Sequence, residues 1–284
     1  MRELEILLSK EEFIPGDTVN GTLVVRTDDD FECQGVQITF RGDEVAKVLV
    51  HAGKVTIVHS ETREHANQTL DMVWDSIIPS GETRREFSFR LPEDVPGSYD
   101  GIHGRIRYVL QAQVQISWAR DLKSEMELQV VSKPSSEVLD SRSQEAMIEH
   151  DGNILLRVEA TREDVILGDR FPFRLLLSPL VKIRGVRAEI IGYEHVAPKG
   201  NARDAENVLA TSYIEDDHLR RDSWMEMTIQ TEPSWKSSFK TELIDYTHRL
   251  KVTLDIPMRL DRSVVVPLRL SGRGGLGDRT DPFG

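Results

Sequence analysis

Eight histidines, one cysteine and a glycine-rich run are the residues of this 284-residue chain whose types could support catalysis or hold a cofactor. A histidine metal site needs imidazoles spaced onto one face, as in HExxH on a helix or HxH on a strand. Neither spacing occurs; His59 and His65 in HSETREH stand six residues apart on what reads as a hairpin, where solvated side chains are expected. Cys33 stands alone, which excludes an intrachain disulfide, a thiolate-rich zinc site and a cluster held by several cysteines. A nucleophilic cysteine needs a base, and no motif nominates one, so Cys33 reads as a small filler in or near the core. The run GRGGLG (272–277) follows a terminal strand and opens no helix, so the helix N-terminus that would hold phosphate is missing. The P-loop and GxSxG motifs are absent. These residues predict no enzyme, no metal and no cofactor.

Binding chemistry is better represented, by arginine. In GRIRYVLQ, Arg105 and Arg107 hold the parity opposite to Ile106, Tyr108 and Leu110 and should point outward together. Arg84 and Arg90 take the outward parity of RREFSFR, and Arg41 follows the apolar positions of TFRG. Gathered on one face, these guanidiniums would offer forked donors to carboxylate or phosphate oxygens, which makes acidic or phosphorylated peptide segments the expected ligand class. The competing reading pairs them with outward acids on neighbouring strands, such as Glu86, for solubility alone. A second candidate is Asp281-Pro282-Phe283. DPF at a chain end resembles the short peptides bound by clathrin-adaptor appendage domains; the alternative is a disordered end, with Phe283 solvated or folded back.

The elements that position these residues are strands. GVQITFRGDE (35–44) returns as GVRAEIIGYE (185–194), and in both copies apolar residues alternate with polar ones: Val36, Ile38 and Phe40, then Val186, Ala188 and Ile190. Glycines bound each phrase at Gly35 and Gly42, and at Gly185 and Gly192, where a strand is expected to enter and leave through a bend. Upstream, both copies carry Gly-Asp, at Gly16-Asp17 and Gly168-Asp169, and Pro15-Gly16 suits the centre of a type II turn. Downstream, ISWARDLKSEMELQV (116–130) sets against IPMRLDRSVVVPLRL (256–270), pairing Ile116 with Ile256, Asp121 with Asp261 and Leu128 with Leu268. The chain is a duplicated β-domain: many short strands, Gly/Pro turns and little helix predict two antiparallel, immunoglobulin-like sandwiches. Short helices are expected only at 141–149 and 201–210. Polarity divides the chain into a first sandwich at 1–132, a connection at 133–150, a second sandwich at 151–271 and a flexible tail at 272–284.

Charge narrows the partners. With 36 basic against 48 acidic residues the net charge is −12, which disfavours nucleic acid and leaves at most peripheral membrane association through a local basic patch. No run of about 18 apolar residues is present. With a single cysteine, these features predict a soluble cytoplasmic protein.

The strings FIPGDTVNGTLVVRT (13–27), CQGVQITFRG (33–42), FSFRLPEDVPGSYDGIHGRIRYVLQAQV (87–114) and WARDLKSE (118–125) resemble an arrestin-type N-terminal domain. The second half resembles the family chiefly through the internal repeat. The resemblance implies two tandem arrestin-like sandwiches whose faces bind peptides or membrane-associated partners, with no catalytic activity. The wider clan includes α-arrestin adaptors of ubiquitin ligases, an arrestin-fold retromer subunit and a bacterial sporulation-control family, the last resembled by ISWARDLKSEMELQV. The PPxY motif of the α-arrestin adaptors is absent from this chain. The expected function is a non-catalytic scaffold or adaptor that binds proteins through sheet faces and loops, in membrane-protein trafficking or signalling. The alternative is a sporulation-control-like structural or stress-response protein that self-associates through an edge strand.

Overall fold

The computed structural model describes residues 2–132, 144–160 and 164–272, which form two compact units: residues 2–132 with the loop 197–201, and the other described residues. The first unit holds β1 (Arg2–Leu8), β2 (Glu12–Phe13), β3 (Thr18–Thr27), β4 (Phe31–Ala52), β5 (Val55–Met72), β6 (Ile77–Ile78), β7 (Gly81–Arg90), β8 (Tyr99–Asp100), β9 (Gly104–Ile116) and β10 (Leu122–Val130). The second holds β11 (Gln144–His150), β12 (Asn153–Ala160), β13 (Asp164–Ile166), β14 (Arg170–Leu177), β15 (Gly185–Val196), β16 (Arg203–Glu215), β17 (Trp224–Gln230), β18 (Phe239–Lys240), β19 (Ile244–Asp255) and β20 (Arg262–Ser271).

In the first unit, a three-stranded sheet in the order β1-β3-β7 accompanies a seven-stranded one in the order β2-β10-β9-β4-β5, with β6 on β4 and β8 on β9. In the second, β12-β14-β17 repeats the first order with β11 added at its edge, and β13-β20-β19-β15-β16 repeats the second, with β18 on β19. The all-β sandwich fold follows from the period-two pattern: Val36, Ile38, Phe40, Tyr108 and Leu110 are buried in the first unit, and Val186, Ala188, Ile190, Leu250 and Val252 in the second. The shared turns have the expected geometry. Gly16 (φ 86°) and Gly168 (φ 93°) take the positive φ, while Asp17 N donates to Ile14 O and Asp169 N to Ile166 O, both at 3.0 Å. Ile116 N and Ile256 N donate to Asp121 and Asp261 Oδ1 at 3.1 and 3.3 Å, which explains the paired aspartates downstream.

Several expectations require correction. Residues 144–150, expected inside the connection and partly in a short helix, form β11, antiparallel to β12. Residues 203–215, which include most of the other expected helix, form β16 along the whole of β15. Among the described residues the only helical turns are of the 3-10 type, at Pro198–Gly200 and Asp216–His218. Gly42 and Gly192 do not end their strands, for β4 runs on to Ala52 and β15 to Val196. They are glycines because an aromatic side chain lies across them. A Cβ would stand 2.4 Å from the Tyr108 ring at Gly42 and 2.3 Å from Tyr246 Oη at Gly192. The Asp281-Pro282-Phe283 motif and most of the glycine-rich run lie outside the described residues. No helix among the described residues is long and apolar enough to cross a membrane.

Candidate partner-binding faces

Alternation along β9 turns Arg105 and Arg107 outward while Ile106, Tyr108 and Leu110 face the core. Adjacent β4 brings Arg41 opposite Val109 and Asp43 opposite Arg107, so the three guanidiniums belong to one outer face, that of the seven-stranded sheet. Arg84 and Arg90 lie on β7, which pairs with β3 in the other sheet. The expected gathering of five is therefore a set of three and a set of two on different sheets, because parity fixes inside and outside but not the sheet a strand joins.

Each of the five has an acidic partner. Arg41 Nε lies 2.8 Å from Asp43, Arg105 Nε 2.8 Å from Asp100, and Arg107 Nε 3.1 Å from Glu127. Arg84 meets Glu82 at 2.7 Å and Arg90 meets Glu93 at 2.6 Å. The hydrogen bond to Asp100, followed by its charge, holds Arg105 above the ordinary guanidinium range. Exposed pairs of this kind are worth only about 0–1 kcal/mol each, so an incoming oxyanion displaces them at small cost.

Glu86, the anticipated partner, pairs with neither Arg84 nor Arg90, which meet Glu82 and Glu93. It lines a groove of about 490 Å³ on the three-stranded sheet, together with Leu7, Asn20, Thr22 and Ser88. Gly21 lets β3 close on Phe87 there, since a Cβ would stand 2.4 Å from its ring.

Each sandwich also holds a buried polar group at the same place in the repeat. Glu44, with no exposed surface, accepts a hydrogen bond from His65 Nε2 at 2.9 Å, and the Tyr108 hydroxyl donates to Pro96 O at 2.6 Å. Burial, then the charges of Glu44 and Asp94, pushes the Tyr108 phenol far above its usual range. In the second sandwich Glu194 is 3% exposed, and burial with its charge pushes Tyr246 up to about 12. His248 lies edge-on to Tyr246, ring centres 4.9 Å apart, and Nδ1 is 2.8 Å from Ser238 Oγ. Its Nε2 is buried without a hydrogen-bond partner among the described residues, and burial pulls the imidazole down to about 3. Ser238 Oγ in turn accepts from Leu270 N at 3.0 Å, as Ser98 Oγ accepts from Val130 N at 2.9 Å, so one serine clamps the last strand of each sandwich. No motif marks these groups in the sequence; their one signal is the glutamate that closes both copies of the repeated phrase, Glu44 and Glu194.

These groups are structural in geometry. Glu44 and His65 form a pair, one ligand short of the simplest protein metal set. Glu215, Asp217 and His218 bring ligand atoms within 4.8 Å of one another, but all three are exposed, at the end of β16 and in the 3-10 turn after it, and His218 Nδ1 is turned to Asp217 itself at 2.9 Å. Cys33 is buried, its thiol 3.6 Å from Gly35 O, and burial pushes it up, away from the thiolate a nucleophile needs.

Tandem sandwiches with charged outer faces and buried polar clamps define an all-β class of fold. Residues 4–136, spanning β1 to β10, match the family model described as Arrestin (or S-antigen), N-terminal domain. The match covers the first sandwich, which is similar to that arrestin domain.

Proposed function

We propose that this chain is a non-catalytic adaptor that holds acidic or phosphorylated segments of membrane proteins against the outer face of the seven-stranded sheet, in cytoplasmic trafficking or signalling. The observation that carries the reading is the placement of Arg41, Arg105 and Arg107 on adjacent strands β4 and β9 of one face. Asp43, Asp100 and Glu127 hold the three guanidiniums in the free protein, and a ligand's oxyanions replace these carboxylates. A phosphate group, with more charge and three acceptor oxygens, replaces them more favourably than a single carboxylate. Arg84 and Arg90 take no part in this face.

The test is capture of immobilised acidic and phosphorylated peptides by the full chain at low and physiological salt. Arg105→Glu with Arg107→Glu should abolish capture without changing the melting curve, and wild-type capture should weaken as salt rises. Arg84→Glu with Arg90→Glu should leave capture intact. Equal capture by the first double variant refutes the reading.

A further inference from the structure

β4 and β5 outrun the sheet that holds them. β9 leaves β4 at Gly104, opposite Ala46, yet β4 continues to Ala52 and β5 begins at Val55. Beyond that point the two strands pair in register with each other, from Lys47 with Ser60, through Leu49 with Val58 and Val50 with Ile57, to Ala52 with Val55. Six residues a side at about 3.3 Å each make an arm about 20 Å long. Gly53, at φ 64°, turns its tip.

The arm's composition reverses that of the chain. KVLVHAGKVTIVHS (47–60) has two lysines and no carboxylate, in a protein with 48 acidic residues among 284 and a net charge of −12. Neither Lys47 nor Lys54 has an ion-pair partner among the described residues. Apolar side chains are exposed on both faces: Leu49 (46%) beside Val58 (52%) on one, and Ile57 (44%) and Val55 (60%) on the other. The opposite end of the same sheet also exposes apolar residues, Val73 and Trp118, but there Asp28, Asp29, Asp30, Asp75 and Asp121 follow closely in the loops. An anionic surface is therefore repelled by that end of the sheet, whereas at the tip of the arm it meets lysine and no carboxylate.

We propose that the 47–60 arm is a peripheral membrane anchor that enters the interface of an anionic bilayer. Its apolar residues reach the boundary between headgroups and acyl chains, while the Lys54 stem bends back to carry its ammonium to the phosphates. Depth is limited by the backbone. A two-stranded hairpin has unpaired N–H and C=O groups along its outer edges, which the hydrocarbon core would leave unsatisfied, so the arm dips about 5–10 Å and does not span. A second copy of the chain is the less fitting occupant, because two arms that each carry two lysines and no acid repel where they would meet.

The full chain is sedimented with vesicles of phosphatidylcholine alone and with vesicles containing about one-third phosphatidylserine. Binding is expected to the second only, and to fall at high salt. Lys54→Gln should weaken it about fivefold, the usual effect of one basic residue near such a surface. Leu49→Asp with Val58→Asp should abolish it, and the milder Leu49→Ser with Val58→Ser should reduce it, with melting curves retained because both side-chain positions are exposed. Absence of wild-type binding to the serine-lipid vesicles overturns the proposal, as does equal binding by the aspartate variant. Light scattering that shows a wild-type dimer dissolved by the same substitutions overturns it in favour of self-association. The anchor is independent of the arginine face: the aspartate variant should still capture acidic peptides, so either proposal can fail alone.

Discussion

The buried imidazole of His248 makes a quantitative demand on the second sandwich. Burial lowers it to about 3 from an ordinary value of 6.5, so the unfolded chain binds this proton first as pH falls. Its contribution is complete above about pH 6.5 and is lost progressively towards pH 3. With those two values, linkage gives a loss of about 2 kcal/mol at pH 5 relative to neutrality, and about 5 kcal/mol once both states are protonated. The cause is local. Ser238 Oγ accepts from Leu270 N, so its hydroxyl proton is free to point at Nδ1, leaving the neutral ring's own proton on an Nε2 with no acceptor. A second proton would put a charge on a buried ring whose Nε2 has no hydrogen-bond partner among the described residues. His248→Phe keeps the ring against Tyr246 and removes the titration. Denaturant unfolding of both proteins at pH 7.5 and pH 5 should show the wild type losing about 2 kcal/mol more than the variant, equivalent to a few degrees in the melting midpoint for each kcal/mol. Parallel pH dependences, or an imidazole resonance of His248 that titrates near 6.5 in the folded protein, would refute the reasoning.

Two further outcomes follow from the packing. Gly42→Ala places a methyl group 2.4 Å from the Tyr108 ring and should cost about 1–3 kcal/mol in denaturant unfolding, with the Tyr108 bond to Pro96 disturbed. Ser238→Ala takes the acceptor from Leu270 N and the partner from His248 Nδ1, and should cost about 1–3 kcal/mol, with faster hydrogen exchange at Leu270 than at Val130, whose Ser98 clamp is intact.

Much of the architecture was legible because strand chemistry is periodic and the chain states it twice. Val36-Ile38-Phe40 and Val186-Ala188-Ile190 show their inner faces directly, and Gly16 and Gly168 mark turns that need a positive φ. What failed depended on partners remote in sequence. NARDAENVLA has good helix formers in alanine, glutamate and leucine, but the segment becomes β16 because its backbone completes the edge of β15. The outward parity of Arg84 and Arg90 was readable, but nothing local records that β7 pairs with β3 and not with β9. Gly42 and Glu44 looked like the end of a phrase, whereas both face inward under Tyr108 and beside His65. A buried carboxylate on an otherwise apolar parity is visible only once the strand is known to continue.

The serine clamps and the short parallel pairings bear on how the chain is made. β2 pairs with β10, and β13 with β20, so each sandwich is closed at its edge by the last strand to emerge from the ribosome. The first therefore remains unclosed until about residue 131 is available, when Val131 N reaches Phe13 O at 2.8 Å. The second offers Leu167 N to Ser271 O at 2.9 Å, nearly the same seat for a nearly equivalent strand. Capture of β2 by β20 of another molecule would use the same kind of parallel edge, so strand exchange between copies is the misassembly this duplication makes geometrically available. Synthesis in order, with β10 arriving long before β20, gives the correct partner its head start.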